Sequence, residues 1–159
     1  MNLLIIIDLQ AAFINENTKE APAEIKKLMT THHFDKIMFT KFVNSLTNPV
    51  YINIKWDKCL TEESKKILLD TRDCPVLSKE TYSVFTPELK NYLKNNNIKK
   101  IYLCGIDIEC CVLVSALNLF ENNYDVYVLK DYCYSMSSNQ ARKNVIAILK
   151  RNIGKDRVI

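Results

Sequence analysis

Three residues far apart in the chain carry the side chains of a thiol-based acyl transfer: Asp8, Lys79 and Cys111. Each stands where a strand-like run gives out. Asp8 follows the aliphatic Leu3–Ile7, Lys79 closes Pro75–Lys79, and Cys111 comes after Ile101–Cys104 and the elbow at Gly105. A thiol nucleophile needs a base to take its proton and a cation to favour its anion. A carboxylate near an ammonium is kept ionised, which suits it to act as that base. At the elbow, the backbone N–H groups of Asp107 and Cys111 are candidates to hold an oxyanion. Cys110 and Cys111 fall in the expected first turn of a helix, where unpaired N–H groups and the helix dipole favour a thiolate.

Each of these residues also has a plain structural explanation. Charged residues often end buried strands because the sheet stops there. A cysteine in a buried helix is more often packing than chemistry, and Cys59, Cys74, Cys104 and Cys133 are left with that reading. Phe13, Trp56, Tyr82, Phe85 and Tyr134 are expected either as core or as walls of a pocket suited to a planar substrate.

The elements that must position these groups alternate in type. Leu3–Ile7 is an unbroken aliphatic run, the pattern of a strand covered on both faces. A loop over 8–14 follows, then a helix opening at Pro22 with Ile25, Leu28 and Met29 at helical spacing. Lys36–Lys41 reads as a second strand. The stretch 42–57 reads as a long loop with a short extended piece at Tyr51–Ile54. Thr61–Leu69 is expected to be a short helix, and 75–79 a third strand. Pro87 suits the first turn of another helix that stops at Asn95–Asn97. After the strand 101–104 comes an apolar helix over 110–120, closed by Asn122–Asn123. Asp125–Leu129 is a strand, Ser137 or Ser138 caps a last helix through Val145 and Leu149, and 157–159 is a possible edge strand. Strands alternating with helices predict one α/β domain over 1–159, three layers deep, with a mainly parallel, Rossmann-like sheet. Right-handed crossovers then bring the carboxyl ends of the strands, and so all three groups, to one rim.

At 159 residues the chain is long enough for one domain with a proper core. Its 48% apolar and 25% charged content is that of an ordinary soluble globule. The net charge of +4 is spread over scattered lysines, so neither a nucleic-acid nor a membrane partner is expected. The opening apolar run is too short for a signal core or a membrane span, so a cytoplasmic location is expected. Six cysteines without a CxxC pair suggest neither a disulfide framework nor a zinc site, and two glycines are too few for a phosphate loop.

Four segments, in order, resemble a known family. Asp8-Leu-Gln-Ala-Ala-Phe13 is similar to the D-x-Q-x-x-F signature of the isochorismatase-like cysteine hydrolases, a superfamily that includes nicotinamidases. Phe39-Thr40 followed by Trp56 resembles its second strand and next loop. Lys79-Glu-Thr-Tyr-Ser-Val-Phe85 resembles K-x-x-x-S-x-F, and Gly105-Ile-Asp-Ile-Glu-Cys-Cys-Val112 resembles G-x-x-T-x-x-C-V. The likeness extends over Leu3–Ile159 and is weakest over 15–35 and 58–74. It implies Cys111 as nucleophile, Asp8 as proton acceptor and Lys79 as the residue that stabilises the charged states, with no catalytic role for Cys110. It also implies a cis peptide at Ile106–Asp107 and assembly as a homo-oligomer, dimer or tetramer.

The chain departs from the family pattern in two places. Ile108 stands where the family has threonine, preceded by Asp107. Where the nicotinamidases carry Asp-x-His-x-x-His, this chain reads Trp56-Asp-Lys-Cys-Leu-Thr61; its only histidines, His32 and His33, are adjacent elsewhere. No metal and no cofactor are therefore expected. The favoured reading is a metal-independent cysteine hydrolase that cleaves a C–N bond of a small amide or ureido substrate through a thioester. The alternatives are a non-catalytic α/β module binding a small molecule or partner, an isochorismatase-type hydrolase, and a thiol redox sensor built on Cys110–Cys111.

Overall fold

The computed structural model describes residues 1–159. Five parallel strands form the sheet: β1 (Asn2–Ile7), β2 (Lys36–Phe42), β3 (Val76–Lys79), β4 (Lys100–Ile106) and β5 (Asp125–Tyr134), in the order β3-β2-β1-β4-β5. Five helices accompany them: α1 (Ala21–Thr31), α2 (Pro49–Ile54), α3 (Pro87–Asn95), α4 (Leu113–Glu121) and α5 (Asn139–Ile153). The fully aliphatic β1 lies at the centre of the sheet, and Leu3 to Ile7 are completely buried. That is the burial a strand needs when helices cover both faces.

The sheet grows in opposite directions from β1. The β1–α1–β2 crossover runs one way, and β3–α3–β4 and β4–α4–β5 run the other. Right-handed connections therefore put α1 on one face and α3 and α4 on the opposite one. Two contacts bear this out. The Val84 N–H just before α3 donates to Ser115 Oγ on α4 at 3.0 Å, and Phe85 packs against Tyr124 just past the end of α4.

The β1–β4 ladder requires a glycine where it ends. Gly105 pairs with Ile7 at a φ of +124°, and a Cβ there would lie 2.1 Å from the Ile7 carbonyl oxygen. No side chain fits that approach.

Several elements differ from the sequence expectation. Thr61–Leu69 is not a helix. Its backbone pairs instead with the loop after β1: Ala11 N–H donates to Lys66 O, Ala12 N–H to Ser64 O, and Leu68 N–H to Leu9 O. The buried Gln10 amide adds a bond to Lys65 O at 3.0 Å, so tertiary bonds override a weak local preference for helix. The Tyr51–Ile54 stretch is the helix α2 rather than extended: Asn48 Oδ1 caps it by accepting from Val50 N–H, with Pro49 in its first turn.

Cys110 and Cys111 lie in a π-turn, Ile108–Val112, that precedes α4 rather than in the first turn of an α-helix. β5 runs on to Tyr134, with an irregularity in its pairing opposite Leu103–Gly105. The chain end contributes one bridge, Val158 to Val128, after a 3-10 turn at Lys155–Arg157.

Candidate active site

The strand ends meet at the carboxyl edge of the sheet. Asp8 leaves β1 at a φ of +46°, a left-handed conformation that aspartate tolerates better than most residues. Lys79 is the last residue of β3, and its Nζ donates to Asp8 Oδ2 at 2.6 Å and to Thr81 O at 3.0 Å. The same Nζ lies 3.7 Å from Cys111 Sγ. Asp8, Lys79 and Cys111, separated by tens of residues in sequence, therefore form one buried cluster.

Burial alone would push the Lys79 ammonium down. The Asp8 carboxylate and Cys111 outweigh it and hold Lys79 above its ordinary value. Burial pushes the Cys111 thiol well up; Asp8 pushes it further, and Lys79 acts in the opposite direction. The surroundings of the Cys111 sulfur thus favour its protonated form, with the Lys79 ammonium as the one neighbour that opposes this.

Above the sulfur lies a cavity of about 190 Å³. Phe13, Trp56 and Tyr82, expected as walls, line it. Phe13 and Trp56 stack with ring centroids 5.3 Å apart, and Phe42 meets the Trp56 ring edge-on at 5.9 Å. Packed on one another, these rings give the cavity a continuous aromatic face.

Phe85 and Tyr134 do not line the cavity, which corrects the sequence expectation. Phe85 is turned toward α4, where its ring meets Tyr124 edge-on at 5.5 Å and Lys90 Nζ sits 4.4 Å from its centroid. Tyr134, at the end of β5, opens on a separate polar cleft beside Asn17, Ser138 and Arg142.

The elbow between β4 and α4 contains a cis peptide bond at Ile106–Asp107. The Asp107 carbonyl accepts from the Cys110 and Val112 N–H groups, at 3.2 Å and 3.1 Å, which winds the π-turn around Cys111. Ser115 anchors that turn from below, donating its hydroxyl to Cys111 O at 2.5 Å. Asp107 itself reaches the cavity lining, as does Cys110.

Sequence reasoning gave no role to several residues that the fold brings here. Thr40, fully buried in β2, accepts from the Asp8 N–H at 3.0 Å and donates to Asp8 Oδ1 at 2.6 Å. A hydroxyl inside the run Lys-Ile-Met-Phe-Thr-Lys-Phe was the signal for it. Gln10 ties the rim together: its amide oxygen accepts from Phe42 N–H at 2.7 Å and its Nε2 donates to Phe42 O at 3.0 Å. Phe42, Val50, Ile54 and Met136 complete the cavity wall. Only their placement in space marks them.

A parallel five-stranded sheet flanked by helices, with Asp8, Lys79 and Cys111 buried together at its carboxyl edge, defines the open α/β class of domain. The chain belongs to the isochorismatase family of hydrolases: the isochorismatase domain model matches residues 2–155. It is 32% identical to isochorismatase family protein 1A of Dictyostelium discoideum, over 92% of this chain and 68% of that protein. It is 34% identical to a secreted isochorismatase effector of Phytophthora sojae, over 58% of this chain and 47% of that protein. Among solved structures, the PnC1 protein of L. infantum in complex with nicotinate superposes with a TM-score of 0.82 at 17% identity, over 100% of this chain and 95% of that one. The pyrazinamidase of Pyrococcus horikoshii in complex with zinc superposes at 0.77 and 22% identity, over 95% of both chains. These last two likenesses are of fold.

The side chains present do not fit a zinc ion of the kind that pyrazinamidase holds. After β2 the chain offers Asp57, which pairs with Lys58 at 3.7 Å, and Cys59, whose buried sulfur faces the Gln10 amide at 3.8 Å. His32 and His33 follow α1 and precede β2, at the opposite edge of the sheet. No three histidine, cysteine or acidic side chains converge into a metal-binding group. No helix is long and apolar enough to cross a membrane.

Proposed function

We propose that this chain is a metal-independent cysteine hydrolase that cleaves the C–N bond of a small planar amide or ureido compound. One observation carries the reading: at the floor of an aromatic-walled cavity, Lys79 Nζ reaches both Asp8 Oδ2, at 2.6 Å, and Cys111 Sγ, at 3.7 Å. Asp8 accepts the thiol proton, and the sulfur forms its bond to the substrate carbonyl carbon. The developing oxyanion is taken by the N–H groups of Asp107 and Cys111. Lys79 keeps the carboxylate and thiolate states stable without leaving the cluster. Asp8 then returns the proton to the departing nitrogen, ammonia or an amine leaves, and a thioester to Cys111 remains. Water, giving a proton to Asp8, attacks the thioester carbon; the C–S bond breaks, Asp8 returns that proton to the Cys111 sulfur, and the acid leaves.

The test is trapping of the acyl-enzyme. Nicotinamide and pyrazinamide are the first amides to offer, since neighbours of this fold are named for them. Acid quenching during turnover should give an intact mass raised by the acyl group, mapped to Cys111, together with release of ammonia. Cys111→Ala should abolish both signals while the fold survives. An alanine variant that still turns over amide overturns the reading.

We also infer a homo-oligomer. Leu46, Ile52 and Ile54 are 65%, 48% and 62% exposed in and just before α2, beside the cavity mouth, where a second copy would cover them. A monomeric mass in light scattering would refute that assembly.

A further inference from the structure

The cavity above Cys111 is unusual in what it lacks. No lysine, arginine or histidine lines it, and Asp107 is its only carboxylate. The Lys79 ammonium underneath is already matched by Asp8. Asp107 is held in place by its backbone neighbours, its Oδ1 accepting from Met136 N–H at 3.3 Å and from Glu109 N–H at 3.4 Å. Two residues along, Glu109 is the acidic side chain nearest to it in the turn. Burial, reinforced by Glu109, pushes the Asp107 carboxyl up to about 7. Burial pushes Glu109 up as well, but its polar neighbours Asp107, Ser135 and Ser137 outweigh it and hold Glu109 below its ordinary value. The two carboxyls therefore carry at least one negative charge between them at neutral pH.

We propose that Asp107 sets substrate specificity: it accepts a hydrogen bond from an N–H group of an uncharged or cationic substrate and turns away substrates that bear a carboxylate. An N–H donor entering the cavity finds in Asp107 the one carboxyl acceptor on a mostly apolar wall, which fixes its pose. On the alkaline side of about 7, where Asp107 is ionised, an entering carboxylate finds no cation to pair with and a like charge beside the reacting sulfur. This rests on Cys111 being the nucleophile, since the selected group is defined by its distance from that sulfur.

A pair of alkylating reagents reads the discrimination without any knowledge of the natural substrate. Iodoacetamide and iodoacetate form the same S–CH₂ bond with loss of iodide, and differ only in carrying an amide or a carboxylate. Their rates at Cys111 are followed by tandem mass spectrometry that separates Cys110 from Cys111, and the rate ratio is divided by that for glutathione. On the alkaline side of about 7, where Asp107 is ionised, the native protein should prefer iodoacetamide by about tenfold, the order of a single like-charge contact in a partly screened site. Asp107→Asn, which keeps an oxygen acceptor for Met136, should bring the ratio close to that of glutathione, and Asp107→Ser should do the same with less bulk. Glu109→Gln should retain the preference.

A ratio unchanged in both Asp107 variants, or one lost in Glu109→Gln alone, overturns the proposal. Resistance of Cys111 to both reagents while Cys110 reacts is a different result. It removes the nucleophile itself and with it the hydrolase reading.

Discussion

Asp8 and Thr40 are bonded twice, once in each direction: the Asp8 N–H donates to Thr40 Oγ1 at 3.0 Å, and the same hydroxyl donates to Asp8 Oδ1 at 2.6 Å. Both residues are fully buried, so water cannot replace either bond. Thr40→Val keeps the shape and removes the hydroxyl, leaving a buried amide and a carboxylate oxygen without partners. The expected cost is about 1.5–3 kcal/mol in urea denaturation. The carboxylate is also released from its orientation toward Cys111, so kcat should fall about tenfold with KM little changed. Thr40→Ser restores the hydroxyl and should recover most of both losses. A valine variant with native kcat would show that Thr40 does not position the carboxylate.

The Lys79–Asp8 pair has both side chains fully inaccessible, which makes its single and double variants behave differently. Lys79→Met or Asp8→Asn leaves one charge buried without its partner, at a cost of about 3–5 kcal/mol each. The double variant removes both charges and should be less destabilised than the sum of the two, since the desolvation penalty is gone. All three should lose hydrolysis. Urea midpoints of the four proteins close the cycle; strict additivity would mean the charges are solvated and the cluster is open to water.

How much of this was legible in the sequence follows from where the information resides. The sheet was legible because most of its strands carry apolar runs between turn signals, and β1 is aliphatic from Leu3 to Ile7. Asp8, Lys79 and Cys111 were legible as strand ends and elbow residues, which a parallel topology must gather at one edge. The turns over 61–69 were not, because Lys65 and Lys66 are held by bonds from Gln10 and Ala11, more than fifty residues away in sequence. The helix α2 had its local signal in Asn48-Pro49, a cap followed by proline. The Tyr-Ile-Asn-Ile alternation after it pointed to a strand instead, and burial did not arbitrate, since Ile52 and Ile54 are exposed. Phe85 was expected, as an aromatic, either in the core or on the cavity wall. The bond from Val84 to Ser115, invisible in the sequence, draws it toward α4.

The two glycines make different demands, and alanine separates them. At Gly105 the φ is +124° and an added Cβ would sit 2.1 Å from the Ile7 carbonyl oxygen, so backbone must move at the joint between β1 and β4. Gly105→Ala should cost about 4 kcal/mol or more, a large share of the stability of a domain this size. At Gly154 the φ is +104°, and the nearest atom to an added Cβ is Arg157 Cδ at 4.0 Å. Only conformational strain remains there, about 1–3 kcal/mol. Urea midpoints should fall in that order. Equal losses would mean that the β1–β4 joint relaxes freely.

Asp107 also predicts how stability depends on pH. Its carboxyl is raised from 3.8 to about 7 by burial first and by Glu109 second. The folded state therefore keeps a proton that the unfolded state gives up, and the stability this group contributes is full below its unfolded pKa and lost as pH rises through its folded one. Glu109 has the opposite sign, but its pKa is lowered from 4.5, so its effect lies on the acid side of that value. The Cys59 and Cys110 thiols, pushed by burial up to about 12 and about 11, titrate on the alkaline side. Between about pH 5 and about pH 8, urea midpoints of the native protein should decline, and Asp107→Asn should flatten that decline. The same variant should gain stability relative to the native protein at the upper end of the range, where the native carboxyl is buried and ionised. A slope unchanged by Asp107→Asn would place the titrating group elsewhere in the chain.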